Sequence, residues 1–241
     1  MIEKTLGIVL RQIKYGDTSL IVHLYTRRWG RMGIVVQGAR SRSGKRKTAL
    51  FQPLTILDLD IYHKSNRELQ QVREARNAQP FIHLAADPVK SSIALFLAEI
   101  LYKVLREEES NQAMFDFITD HLRLLDLAEE GVANFHLYFM IRLTRYLGFY
   151  PEDFGDQIPA WFNLESGTFQ QDKPITGLSL PPGNGLILNK LLHCQPSQLG
   201  EISLNHSQRS ELLEALLRYY RFHLEGFGEV RSLSVLTALF S

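Results

Sequence analysis

The hydrophobic period of this chain changes once, near Pro80, and that change constrains the fold more than any single residue. Ahead of it apolar residues recur at every second position, as in strands with one buried face; behind it they recur at spacings of three and four, as in helices. Thr5–Ile13 and Thr18–Thr26 read as strands joined by the turn Lys14-Tyr15-Gly16-Asp17. In the second, Leu20, Val22 and Leu24 share a face opposite Ile21, His23 and Tyr25. Arg28-Trp29-Gly30 makes the next turn, and Met32–Gln37 is a third strand on which Ile34 and Val36 alternate. The cleanest strand sets Leu57, Leu59 and Ile61 against Asp58, Asp60 and Tyr62. Glu68–Ala75 reads as a fifth strand of weak pattern, with a helix left open there. Five short strands are too few for a two-sheet sandwich and suit a small closed barrel. The five-stranded OB-fold is the commonest such barrel among nucleic-acid binders, and the pattern alone does not separate it from an SH3-like barrel.

Beyond Pro80, Asp87 is an N-cap with Pro88 at the first helical position. The helix it starts carries Ile93, Phe96, Leu97, Ile100, Leu101, Val104 and Leu105 and ends near Glu107-Glu108-Glu109. Ser110 or Asn111 caps a second helix, and a third runs from about Val132 to Leu147, stopped by Gly148 and Pro151. Residues 150–182 are irregular, with Trp161–Leu164 and Gly167–Phe169 read as a small hairpin. Helices resume at about Gly185–His193 and Ser207–Glu225, followed by a short apolar tail, Leu233–Phe240. The expected domains are therefore 1–80 and 81–241.

Charge follows the same boundary. Residues 1–80 hold 15 Lys+Arg against 6 Asp+Glu, net +9, while 81–241 hold 12 against 20, net −8, although the whole chain carries only +1. From Thr18 to Leu57 there is no acid in 40 residues, and eight cations crowd into Arg27–Lys47. Such segregation offers one half to a polyanion. The eight are Arg27, Arg28, Arg31, Arg40, Arg42, Lys45, Arg46 and Lys47, and Gly38–Lys47 reads as a long mobile loop. Tyr25 and Trp29 beside it are candidates for stacking on bases while the cations follow a phosphate backbone. The competing readings are a solubilising segment for the loop and a plug for the barrel end for Trp29.

No run approaches the roughly 18 apolar residues of a membrane span, so no membrane partner is expected. The start, MIEKTLGIVL, lacks a signal-peptide layout. The single cysteine, Cys194, rules out an internal disulfide and reads as a small buried hydrophobe in a reducing cytoplasm. The glycine-rich nucleotide, P-loop, HExxH and nucleophile-elbow patterns are absent. Asp58 and Asp60 share a strand face and read as its solvated side rather than as metal ligands. The chain reads as a binding protein without catalytic residues, metal or cofactor.

A second feature lies in the acidic half. The helix FHLYFMIRLTRYLGFY carries Arg142 and Arg145 one turn apart, in a stretch without acid. These arginines snorkel, pair with a distant acid such as Glu152, or hold an incoming carboxylate beside an apolar pocket.

Several separated stretches together resemble one family, the bacterial recombination mediator RecO. They are Gly7-Ile8-Val9-Leu10 with Tyr15-Gly16-Asp17, then Gly30-Arg31-Met32-Gly33-Ile34-Val35-Val36-Gln37-Gly38-Ala39-Arg40, and Leu50-Phe51-Gln52-Pro53-Leu54. Leu147-Gly148-Phe149, Phe162–Gly167 and Tyr220–Glu225 follow in the family's order. The resemblance implies an α+β protein: an N-terminal five-stranded OB-fold β-barrel followed by an all-α C-terminal domain, without turnover. It implies binding to single- and double-stranded DNA, annealing of complementary strands, and action with RecR in helping RecA displace single-strand-binding protein. It also implies docking of the C-terminal tail of single-strand-binding protein on the helical domain, for which Arg142 and Arg145 are the candidates. Many relatives carry a four-cysteine zinc site after the Leu-Gly-Phe landmark. Residues 150–175 here have no cysteine, so zinc is not expected, and packing by Trp161, Phe162 and Phe169 takes its place. The alternatives are a structural adaptor that binds proteins through its helical half, an RNA-directed module and, weakest, a nuclease.

Overall fold

A computed structural model of the chain describes residues 2–39, 45–152, 160–175 and 177–239, with 45–47 and 239 described by backbone alone. It divides into two compact units, Met1–Asp126 and Leu127–Ser241.

The first unit is built on strands β1 (Ile2–Tyr15), β2 (Ser19–Thr26), β3 (Gly30–Val36), β4 (Ile56–Tyr62) and β5 (Leu69–Gln79). They close into a barrel in the order β1-β2-β3-β5-β4, antiparallel except for the parallel pair β3 and β5. Closure removes the free edges that a short sheet would otherwise expose. The alternation read from sequence is the physical one. Val22, Leu24, Ile34, Leu57, Leu59 and Ile61 are buried inside the barrel, and Asp58 and Tyr62 point out. Leu59 needs the bare backbone of Gly7 beside it, since a Cβ there would stand 2.9 Å from its methyl.

The ambiguous fifth segment is a strand. Its ladder with β4 slips twice, at Ile56/Leu57 and at Asp60/Ile61. Each slip shifts the alternation by one position, which blurs the pattern a strand normally shows. The stretch read as a loop through Lys47 turns helical earlier, as α1 (Lys45–Leu50). Thr48 donates its hydroxyl to Ala39 O at 2.7 Å, and Ala39 and Phe51 are buried, so packing anchors both flanks of the basic segment.

Helices α2 (His83–Ala86), α3 (Pro88–Val104) and α4 (Gln112–Leu127) complete the first unit. Asp87 caps α3, its carboxylate accepting from Val89 N and Lys90 N, and Asn111 rather than Ser110 caps the next helix by accepting from Met114 N at 2.9 Å. α3 packs along β1.

The second unit is helical around α5 (Phe135–Leu147), which packs on α6 (Pro182–His193) and α7 (His206–His223). α8 (Leu233–Leu239) forms from the apolar tail. Gly148 ends α5 in the left-handed region at φ +85°. The expected hairpin is present as β6 (Trp161–Asn163) and β7 (Thr168–Gln170), joined by β8 (Ser179–Leu180). Phe162 is its anchor, 4.8 Å from the ring of Phe169 and 5.6 Å from that of Tyr219, whose hydroxyl donates to Phe149 O at 2.6 Å. Among the described residues no helix is long and apolar enough to cross a membrane.

Candidate nucleic-acid interface

The turn between β2 and β3 carries the described part of the basic segment, and the fold holds it rigidly. Thr26 Oγ1 accepts from Trp29 N and donates to Gly30 O, both at 3.0 Å. Arg27 N donates to Leu6 O, and Ser110 donates to Arg27 O at 2.9 Å. Gly30 sits at φ +64°, and a Cβ there would lie 2.3 Å from Glu109 O. Only glycine lets the turn approach the segment between α3 and α4 so closely.

On this frame the predicted cations have distinct environments. Arg27 pairs with Asp116 at 3.2 Å and Arg28 with Glu3, both arginines being exposed. Exposed pairs of this kind contribute about 0–1 kcal/mol, so a phosphate can replace the carboxylate at little cost. Arg28 also lies 4.8 Å over the ring of Trp29. Arg31 is different. It is half-buried, donates from Nη1 to Tyr102 O at 2.8 Å and Leu105 O at 2.7 Å, and burial holds its pKa below the usual value. Arg40 and Arg42 lie outside the described residues, as do the side chains of Lys45, Arg46 and Lys47.

The two aromatic candidates separate as well. Trp29 is half-buried against the barrel core and stacks on His63 at 4.5 Å and 13°. Tyr25 is only 3% exposed and stacks on Phe115, and burial raises its hydroxyl pKa to about 12. Its ring is covered by protein and is not open to a base.

Two grooves flank the turn. Lys4, Arg27, Arg28, Ser110 and Gln112 line one, with Asp58 at its wall. Trp29, Arg31, His63, Lys64 and Arg67 line the other, with Glu68 and Glu108 beside them. Lys4, His63, Lys64 and Arg67 had no sequence motif to mark them; only the closing of the barrel brings the β4–β5 loop beside the β2–β3 turn. Buried Gln70 fixes that loop, donating to Lys64 O and Arg67 O while accepting from Lys64 N. Asp60 faces Lys4 and Asp58 faces Arg76 across the ladder, an alternating charged exterior.

In the second unit Arg142 donates to Cys194 O at 2.9 Å and to the Tyr150 hydroxyl at 3.3 Å, with its guanidinium 5.3 Å over Tyr138. It joins α5 to the end of α6. Arg145 is exposed. Cys194 is buried, which raises its thiol pKa.

A closed five-stranded OB-like barrel with a basic turn, followed by a helical region, defines a DNA-binding protein of repair and recombination. The chain belongs to the RecO family: residues 1–81 match the family model described as Recombination protein O N terminal, and residues 85–233 match Recombination protein O C terminal. It is 38% identical over 241 residues to the DNA repair protein RecO of Phocaeicola vulgatus and 37% identical over 241 residues to that of Bacteroides fragilis, each covered in full. It is 37% identical over 239 residues to that of Flavobacterium psychrophilum, with 99% of both chains covered.

Proposed function

We propose that the chain is a non-enzymatic, cytoplasmic protein that binds single- and double-stranded DNA, anneals complementary strands and, with RecR, helps load RecA onto DNA coated by single-strand-binding protein. The observation that carries this reading is the β2–β3 turn, where Arg27 and Arg28 line a groove shared with Lys4 and their ion pairs with Asp116 and Glu3 are exposed. Arg40, Arg42, Lys45, Arg46 and Lys47 extend the same acid-free stretch in sequence. Annealing follows when those cations lower the repulsion between two strands. If about five of them meet phosphates, single-strand affinity falls with a log–log salt slope near −3.5, on the order of a hundredfold between 50 and 200 mM salt. Charge reversal at Arg40, Arg42, Lys45 and Arg46 should abolish binding and annealing in a folded protein; unimpaired annealing would reject the reading. For the tail of single-strand-binding protein, exposed Arg145 supplies the docking charge and Arg142 positions the helix end beside it.

One observation favours the adaptor reading instead: each described cation of the basic stretch already has a protein partner, namely Asp116, Glu3 or the α3 carbonyls. A salt slope near zero, with peptide binding intact, would select it.

A further inference from the structure

The barrel closes along a short seam. β3 and β5 pair in parallel at Gly33 with Leu69, Ile34 with Gln70 and Val35 with Gln71, and no further. β5 then continues along β4 as far as Gln79. From Val72 onward its other edge pairs with no strand among the described residues. An unpaired edge presents backbone N–H and C=O groups at the spacing an added strand would match.

The two strands part around a groove of about 470 Å³. Residues 35–37 line it on the β3 side and 71–75 on the β5 side, with Leu50, Phe51 and Tyr62 completing it. Leu50, Val72 and Ala75 pack on the barrel core yet are only partly buried, so apolar contacts lie within reach of the free edge. The charge of the groove is one-sided. Glu74 is held by Arg76 at 2.7 Å, whereas Arg73 is exposed and meets no carboxylate among the described residues. Arg73 is also the residue skipped where the ladder with β4 passes from the pair Asp60 and Glu74 to the pair Ile61 and Val72. A bulge of this kind re-aims a side chain out of the regular alternation of its strand.

We propose that this groove takes an extended segment of a partner protein, added as a strand beside β5, with an apolar side chain in the groove and a carboxylate at Arg73. An unpaired strand edge selects polypeptide, because a nucleic acid carries no alternating amide donors and acceptors at strand spacing. Apolar residues two positions apart suit the groove, since alternate side chains of a strand share a face. Antiparallel addition gives the stronger ladder. The inference goes beyond the DNA reading and does not depend on it, for none of the lining residues belongs to the β2–β3 turn.

The test uses nitrogen-15-labelled full-length protein and the blocked peptide acetyl-Thr-Val-Asp-Val-Thr-amide, whose ends carry no charge. Saturable shifts of the backbone amides of residues 35–37 and 72–75 are expected. N-methylation of both Val residues removes the donors along one edge of the peptide and should abolish binding. Arg73→Glu, at an exposed position and checked for folding by circular dichroism, should weaken binding about fivefold, and replacing the Asp of the peptide by Lys should restore it. Absence of shifts in the wild type, undiminished binding of the methylated peptide, or an unchanged preference between the Asp and Lys peptides in Arg73→Glu overturns the proposal. Displacement of the peptide from these amides by oligo(dT) overturns it in favour of a nucleic acid. The same shifts on raising the protein concentration alone overturn it in favour of a second copy of the chain.

Discussion

Arg31 meets Tyr102 twice: its guanidinium lies 4.2 Å from the ring centre, and its Nη1 donates to the backbone oxygen of the same residue at 2.8 Å. The same nitrogen reaches Leu105 O, so one arginine from β3 satisfies two carbonyls at the end of α3, where the helix leaves its acceptors unpaired and its dipole favours a cation. Arg31 therefore fastens helix to barrel. Arg31→Ala should lower stability by about 2 kcal/mol in urea unfolding. Any loss of DNA affinity should then follow the unfolded fraction, and a folded variant with normal stability and abolished binding would contradict this assignment.

Arg27 and Arg28 should behave in the opposite way. Their pairs with Asp116 and Glu3 are exposed, so replacing both by Ala should change stability by less than about 1 kcal/mol. If both meet phosphates, the same double variant lowers the magnitude of the single-strand salt slope by about 1.4. Asp116→Asn releases Arg27 and should tighten binding modestly at low salt. Anisotropy titrations at several salt concentrations measure both effects, and an unchanged slope in the double variant removes the turn from the interface.

The barrel was legible because its inward rows are strict: Leu57, Leu59 and Ile61 alternate with polar neighbours, and no tertiary detail was needed to see it. The fifth strand was not, because two slips against β4 break the period that reveals a strand. The site was legible as a charge run but not as a surface. Sequence places Tyr25 and Trp29 four residues apart and gives them equal standing, whereas the packing of α4 puts Phe115 over the first and leaves the second beside His63. The partners of Arg27 and Arg31 are 89 and 71 residues away, a distance no local pattern spans. Lys4, Lys64 and Arg67 carry no motif, and they join the turn only through strand order.

Tyr25 tests that correction. Removing its ring opens a cavity against Phe115, so Tyr25→Ala should cost about 3–5 kcal/mol, in the range for large aromatic truncations in a core. Tyr25→Phe keeps the packing and should bind oligo(dT) like the wild type. A folded Tyr25→Phe or a stable Tyr25→Ala with a selective defect in DNA binding would restore the stacking role.

Arg142 and Arg145 divide in the same manner. Arg142 bridges α5 to Cys194 O and Tyr150, so Arg142→Ala should destabilise the second unit by about 1–3 kcal/mol. Arg145 is exposed in the last turn of α5, and Arg145→Glu should leave the melting temperature within about 2 °C of wild type, in line with surface substitutions generally. On the proposed docking role it should weaken binding of a peptide with an acidic, hydrophobic-ended sequence. Equal peptide affinity in Arg145→Glu and the wild type, measured by calorimetry, would move the docking site elsewhere.

His136 gives the second unit a pH dependence that can be separated from that of its carboxylates. It is fully buried on α5, and desolvation first, with the charge of Arg209 second, lowers its pKa to about 3 from 6.5. The unfolded chain therefore binds a proton that the folded chain refuses between those two values, so stability rises with pH across the window and is lost as pH falls from 6.5. A shift of this size corresponds to on the order of 5 kcal/mol over the full window. Glu211, lowered by hydrogen bonds from Asn184 and Ser207, acts in the same direction only below about its ordinary value of 4.5. His23 in the first unit is shifted the same way as His136 and titrates in an overlapping window, so the decisive quantity is the difference between wild type and His136→Phe. Wild-type stability minus that of the variant should fall steadily from pH 7 to pH 5, because the His23 contribution is common to both and only the wild type loses that of His136, and urea unfolding followed by circular dichroism at each pH measures it. Parallel pH curves for the two proteins would mean that His136 takes up its proton in the folded state without penalty.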